Sequence, residues 1–385
     1  MPRIPTRMIL DAYRHDPLLP LLLQECRTIH SAKNELRWLK ERAVTVAQSS
    51  STKRSSTTSK HALYGWRGLL RSMCRARSRG KPLQYILGDQ PFGDLDIMCK
   101  KGVLIPRPET ETFTVHAASL ISRDILKFER HSRSGDHAAP APAPAPTPLR
   151  IIDLCTGTGC IPLLLHALLS PHVPEISIVG IDISTTALNL SERNLMHNVK
   201  QGSLSARAMA DITFRQGNVL SGSKADPFHV ENILQDLSKP SVDTPPPVNV
   251  IISNPPYISA ESFADGTTTR SVRMYEPKLA LVPPVNHVPL AVALDRQEDI
   301  FYYHIISLSF GLKAGLVVLE CGDRLQGRRV AALCTTLAHE HSQSDSLHVS
   351  VWPSGNDESA NGSGSGSAHV DAEPCIVILH RTGSN

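Results

Sequence analysis

Asn254-Pro255-Pro256-Tyr257, past the middle of the chain, has the residue types to handle an amide. The apolar run 248–252 before it reads as a buried strand. That puts Asn254 at the strand's carboxyl edge, where open α/β sheets hold their ligands. Each proline fixes its own φ and lacks an N–H, and Pro255 pushes Asn254 toward an extended conformation. The loop therefore offers carbonyl oxygens and few donors. It suits a substrate that brings two N–H groups, such as an amide or an exocyclic amine. On its own, the same tetrapeptide reads equally well as a proline-rich turn closing a core strand.

A second constellation lies upstream. Asp153-x3-Gly157-x-Gly159 follows an expected strand at 151–154 and opens an expected helix at 161–169. Glycines there tolerate positive φ and let backbone approach a ligand. Asp182 ends the next strand, at a distance where an acid accepts bonds from ribose hydroxyls. A dinucleotide fingerprint wants a third glycine where this chain has Pro162, and no Lys-Ser/Thr follows to make a phosphate loop. S-adenosylmethionine has no phosphates and needs only the first approach and the acid. With Asn254-Pro-Pro-Tyr257 at the end of a later strand, it is the favoured cofactor.

These groups need a scaffold, and the pattern around them supplies one. Strands are expected at 176–181, 212–220, 248–252, 316–320, 348–352 and 375–380, alternating with helices at 185–197, 300–312 and 324–338. Such alternation argues for a mostly parallel sheet covered on both faces. Before it, helical spacing runs over 18–42 and 62–77, with Trp38 and Trp66 expected in the core. Two short strands are expected around 92–103 with a turn at Lys100-Lys101-Gly102, then a helix over 110–120. Four stretches read as inserts: 49–60, the Ala-Pro repeats of 138–148, 221–247 and the Gly-Ser run of 361–367.

Charge is uneven. Residues 1–82 carry 17 Lys/Arg against 5 Asp/Glu, whereas the rest carries 23 against 31. A basic first segment favours an acidic or nucleic-acid-associated partner, though a solvated helical face has the same composition. On the helix expected at 62–77, Arg67, Arg71 and Arg75 recur every fourth residue, a basic stripe. The first ten residues hold Arg3 and Arg7 and no acid, as mitochondrial presequences do, over a short length. No apolar run reaches the ~18 residues that span a membrane. The eight cysteines and 17 histidines show no metal-ligand spacing.

Taken together, Pro82-Leu-Gln-Tyr-Ile-Leu-Gly88, Val103-Leu-Ile-Pro-Arg-Pro-Glu-Thr-Glu111, Asp153-Leu-Cys-Thr-Gly-Thr-Gly159, Asn254-Pro-Pro-Tyr-Ile258, Tyr275-Glu-Pro-Lys-Leu-Ala-Leu281 and Leu319-Glu-Cys-Gly322 resemble the HemK/PrmC family. Its members are protein-(glutamine-N5) methyltransferases acting on peptide chain release factors. Cys155, where many relatives have glycine, is a departure. The resemblance implies a seven-stranded Rossmann-like class I methyltransferase sheet with its last strand antiparallel. It implies a helical substrate-recognition domain over 1–82, a β-hairpin connector over 83–103 and a methyltransferase domain over 104–385. Cys155, Thr156, Gly157, Thr158 and Gly159 would wrap the methionine end of the cofactor, Asp182 would hold the ribose, Asn218-Val219 would lie by the adenine, and Asp153 and Asn254 would also belong to the cofactor site. Asn254 and Pro255 would accept the substrate's N–H bonds, Pro256 would shape the loop, and Tyr257 would pack on the amide. Arg107 and Glu109 would either tie hairpin to helix or line the substrate channel. The implied partner is a release factor; no nucleic-acid substrate, membrane or second subunit is expected. The inserts suggest a eukaryotic source, and the helical domain suggests the mitochondrial branch. An adenine-N6 nucleic-acid methyltransferase, which shares Asn-Pro-Pro-Tyr, is the alternative; a cytoplasmic location is the alternative address.

Overall fold

The computed structural model describes residues 3–52, 65–133, 148–237, 248–284, 294, 296–343, 347–353 and 373–381. The insert expected at 361–367, all but the last residue of that at 138–148, and parts of those at 49–60 and 221–247 lie outside these. The chain divides into two compact units: Met1–Gln90 with Cys99–Lys101 and Gly266–Glu276, and Pro91–Met98 with Gly102–Asp265 and Pro277–Asn385.

The first unit is helical. Its helices are α1 (Thr6–His15), α2 (Leu19–Cys26), α3 (Ile29–Thr52), α4 (Trp66–Ser78), α5 (Leu83–Leu87) and, much later in the chain, α12 (Arg270–Tyr275). Leu19, Leu22, Leu23, Leu39 and Leu70 make its core. The helix expected over 18–42 is broken because Arg27 adopts φ 63 and its N–H returns to the Leu23 carbonyl, ending α2. Arg77 clamps the buried Glu35 with Nε and Nη2 at 2.8 and 3.0 Å. A bidentate pair satisfies both charges, which a buried acid requires. Trp38 is not in the core: it is 40% exposed, with the Arg37 guanidinium 5.9 Å from its ring. Trp66 is half-buried, with Arg67 at 4.4 Å and Lys40 at 5.8 Å from its ring. Arg67, Arg71 and Arg75 are all exposed. Both ends of α12 are tied to the rest of this unit, Ser271 Oγ donating to Gly80 O at 2.6 Å and Tyr275 OH to Arg79 O at 3.3 Å.

A two-stranded sheet, β1 (Asp89–Phe92) and β2 (Leu95–Met98), turns at Gly93-Asp94 and not at Lys100-Lys101-Gly102. Gly93 supplies the positive φ, 56°, that a two-residue hairpin loop needs.

The second unit is built on α6 (Pro108–Arg133), β3 (Leu149–Leu154), α7 (Cys160–Leu169), β4 (Ile176–Asp182), α8 (Thr185–Gln201), α9 (Ala208–Asp211), β5 (Ile212–Gln216), α10 (Val230–Asp236), β6 (Val250–Ser253), α11 (Ala260–Ala264), α13 (Ile300–Gly311), β7 (Leu316–Cys321), α14 (Arg324–Glu340), β8 (Leu347–Trp352) and β9 (Cys375–Arg381). Its seven strands lie in the order β5-β4-β3-β6-β7-β9-β8. The first five are parallel, and β9 runs antiparallel to both neighbours. Neighbouring residues of one strand feed opposite faces, Ile151 one apolar cluster and Ile152 the other. Residues 221–237 are not a plain insertion: α10 buries Val230, Ile233 and Leu234. Pro108 opens α6 two residues ahead of the expected start, with Glu109 and Glu111 in the first turn, where a missing N–H costs nothing and acids are favoured. On α8, Asn194 and Asn198 accept the Met98 and Asp96 N–H groups at 2.9 and 3.0 Å, so β2 docks through side chains that mimic a strand partner.

Candidate active site

The chain winds outward from β3 to β4 and β5, then crosses back to β6 on β3's other side. Loops leaving β3 and β6 therefore diverge and open a crevice at the strands' carboxyl ends. A cavity of about 340 Å³ fills that crevice. Of the sequence-predicted residues, Cys155, Thr156, Gly157, Thr158, Asp182, Asn218, Val219, Asn254 and Pro256 line it. Asp153, Gly159, Pro255 and Tyr257 are not among its lining residues.

Asp182 organises the cofactor side. Its Oδ2 accepts the Gly157 N–H at 2.9 Å and its Oδ1 the Ser184 N–H at 2.8 Å. Burial raises its pKa against the pull of these amides and that of Ile183. Gly157 has φ 56, and a Cβ there would meet nothing nearer than the Cys155 carbonyl at 4.0 Å, so the position opens onto free space. Gly159 is a packing glycine: a Cβ would lie 2.8 Å from Ser191 and 3.0 Å from Phe214. Cys155 takes φ 63, a conformation disfavoured for any residue with a Cβ. Asp153 is wholly buried beneath the loop, and neither of its oxygens has a hydrogen-bond partner among the described residues. Burial pushes its carboxyl up to about 8, against the influence of the Thr156 hydroxyl, with the Asp182 charge adding to the rise.

S-adenosylmethionine fits these groups. Asp182 keeps lone pairs for a ribose diol after serving two amides. Ile183, Val219 and Leu220 supply an apolar wall for a purine. Arg107 is the only cationic side chain among the described lining residues.

The acceptor side is the loop after β6. Ser253 Oγ donates to Leu154 O at 2.7 Å and binds the strand end to β3. Asn254 is half-buried, and its Nδ2 donates to Thr110 Oγ1 at 3.0 Å. Thr110 Oγ1 in turn donates to Glu320 Oε1 at 3.1 Å. Glu320 is 4% exposed and ends the apolar run of β7; burial pushes its carboxyl up to about 8, with the Thr110 bond opposing the shift and Glu109 adding to it. Tyr257 packs on Gly322, where an added Cβ would lie 3.0 Å from its ring. Its carbonyl accepts from Gln326 Nε2 at 3.3 Å, and the next N–H, of Ile258, reaches Leu281 O at 2.8 Å. Burial pushes the Tyr257 phenol up, and the Glu320 charge reinforces it. Arg107 lines the cavity, whereas Glu109 is exposed on the first turn of α6. Thr110 and Glu320 were not among the expected site residues.

A parallel sheet with this crossover, a ribose-type acid after its second strand and a proline-locked amide loop at its switch point define a methyltransferase. Over 306 residues the chain is 34% identical to the mitochondrial MRF1 N(5)-glutamine methyltransferase MTQ1 of Saccharomyces cerevisiae, covering 79% of this chain and 76% of that protein. It is 36% identical over 282 residues to the probable MRF1 mitochondrial N(5)-glutamine methyltransferase mtq1 of Schizosaccharomyces pombe, covering 73% of each. The chain belongs to the HemK/PrmC family of N(5)-glutamine methyltransferases. No protein-family model matches it. Among solved structures it is similar to the N-terminal domain of human METTL16, with a TM-score of 0.39 and 15% identity over 81% of this chain and 83% of that one.

Proposed function

We propose that this protein transfers a methyl group from S-adenosylmethionine to the side-chain amide nitrogen of the glutamine in the Gly-Gly-Gln motif of a peptide chain release factor, in mitochondria. The observation that carries this reading is the acceptor loop: Asn254 lines the cavity beside two prolines that lack N–H groups. When bound, the cofactor supplies an electrophilic methyl on a sulfonium. The chain's own task is to make a poor nucleophile usable. Asn254 Oδ1 and the Pro255 carbonyl accept the two N–H bonds of the glutamine amide, fixing the nitrogen with its lone pair toward the cofactor side. These acceptors strengthen as positive charge grows on that nitrogen, so they favour the transition state over the ground state. Tyr257, held by Gln326 and Gly322, backs the loop and keeps it from relaxing. A glutamate in the same place would set acceptor against acceptor and be rejected.

The helical unit supplies the second contact with the release factor, through exposed Arg67, Arg71 and Arg75. A lone glutamine is too common a group to select a substrate, and an acidic partner surface is what this stripe attracts. The protein acts as a monomer and without a membrane; no described helix is long and apolar enough to cross one. The mitochondrial address follows the yeast and fission-yeast relatives. Mass spectrometry of a mitochondrial release factor, after incubation with enzyme and cofactor, tests the reading. The expected result is a methyl-sized gain on the glutamine of Gly-Gly-Gln. Label appearing only in adenine of DNA or RNA would replace this reading with nucleic-acid methylation.

A further inference from the structure

We propose that Thr110 and Glu320 are positioning residues that hold the Asn254 side chain with its amide oxygen, and not its nitrogen, toward the acceptor amide. The inference rests on the amide-methylation reading above. A carboxamide has an accepting end and a donating end of nearly equal shape, and it can sit either way round unless its surroundings choose. Only one way round works, because the substrate brings N–H groups.

The choice is made by a chain of three groups. Glu320 accepts at Oε1, the oxygen left without a proton whether the carboxyl is ionised or carries its proton on Oε2. Thr110 has one hydroxyl proton and must give it to Glu320 Oε1, 3.1 Å away. Its oxygen is then left to accept, so the group facing it at 3.0 Å must be a donor, Asn254 Nδ2. The reversed amide would put Oδ1 against an oxygen that has already spent its proton. Thr110 is 3% exposed, so bulk water is poorly placed to rescue that arrangement. With Nδ2 committed, Oδ1 is the end left for the cavity that Asn254 lines. Both supports are themselves rigid. Thr110 sits in the first turn of α6, where its carbonyl accepts from Thr114 Oγ1 at 2.7 Å. The Glu320 carbonyl accepts from Tyr302 OH at 2.7 Å, which fixes the end of β7.

The test compares three variants in release-factor methylation and in cofactor titration. Thr110→Val keeps the shape and removes the relay. It should lower kcat by about 10- to 100-fold, the scale of one misdirected polar contact at a reacting centre, and leave cofactor affinity within about twofold. Thr110→Ser restores the hydroxyl without the methyl and should recover most of the rate. Glu320→Met, which leaves Thr110 and Asn254 untouched, frees the Thr110 proton to turn toward Asn254 and should fall as far as Thr110→Val; it decides the matter if the valine variant does not fold. Thr110→Val at wild-type kcat with cofactor binding intact overturns the proposal, as does Thr110→Ser as slow as Thr110→Val. A wild-type enzyme that leaves the release-factor glutamine unmodified overturns the underlying reading instead.

Discussion

Asp182→Ala is the sharpest test of the cofactor side. The carboxylate offers about four lone-pair directions, and the Gly157 and Ser184 amides use two of them. Two remain for a ribose diol. Hydrogen bonds to a charged group contribute ~1.5–3 kcal/mol each, giving ~3–6 kcal/mol gross for two. Burial has already raised the pKa of this carboxyl, so part of that gain is offset by holding the charge out of water. A net loss of ~1.5–3 kcal/mol is expected, or ~10- to 150-fold in Kd. Calorimetric titration with S-adenosylmethionine and with S-adenosylhomocysteine measures it. Both carry the diol, so both should weaken by the same factor, whereas a role for Asp182 at the methyl would separate them. Asp182→Asn should do no better than alanine. It has one accepting oxygen for two backbone donors, so its NH2 must face the N–H of Gly157 or Ser184. Affinity within about twofold of wild type in either variant would refute the assignment.

Asn254→Ala should lower kcat by about 10²- to 10³-fold, as loss of a preorganised polar contact does, while cofactor affinity measured by titration changes little. Reversing charge with Arg71→Glu and Arg75→Glu should raise KM for the release factor and leave kcat alone; added salt should raise the wild-type KM and not the variant's, and an unchanged KM would remove the basic stripe from recognition. Asp153 and Glu320 hold protons in the folded chain up to about pH 8 that the unfolded chain sheds in the ordinary carboxylate range. Stability from these two is fully present below the ordinary carboxylate range, falls as pH rises from there to about 8 and levels off above it; melting from pH 7 to 8, above the range where buried neutral His166 acts in the opposite sense, should show the drop, and Asp153→Asn should flatten it.

The sheet was legible because its strands are short apolar runs bounded by glycine, proline or acid, and the parallel order followed from helices between them. What the sequence hid was set by tertiary contacts. Arg27 ends α2 in a left-handed conformation that arginine gives no sign of adopting. Lys100-Lys101-Gly102 looks as turn-like as Gly93-Asp94, and only the docking of β2 on Asn194 and Asn198, about a hundred residues on, selects the latter. Cys155 to Thr158, Asp182, Asn218, Val219 and Asn254, which line the cavity, could be read from motif spacing, since each lies at or just past a strand end. Thr110 and Glu320 could not, because they meet only when α6 and β7 are packed; the one available signal was an acid closing the apolar run Leu316–Leu319. Trp38 shows the reverse error, an aromatic assigned to the core by type that the fold leaves at the surface.

The helical unit is not one continuous stretch of chain. Its Gly266–Glu276 segment is made after β6 and the acceptor loop, and its tether to Arg79 and Gly80 spans almost two hundred residues. Cutting the gene after residue 90 therefore yields neither piece whole: one lacks α12, and the other carries that helix without its anchors. The unit cannot be grafted onto another catalytic domain as a cassette. During synthesis at ~5–20 residues per second, its first 90 residues wait roughly 10–40 s for the segment that completes them. Whatever holds that half-built surface in the meantime acts before the catalytic loop has acquired its full surroundings.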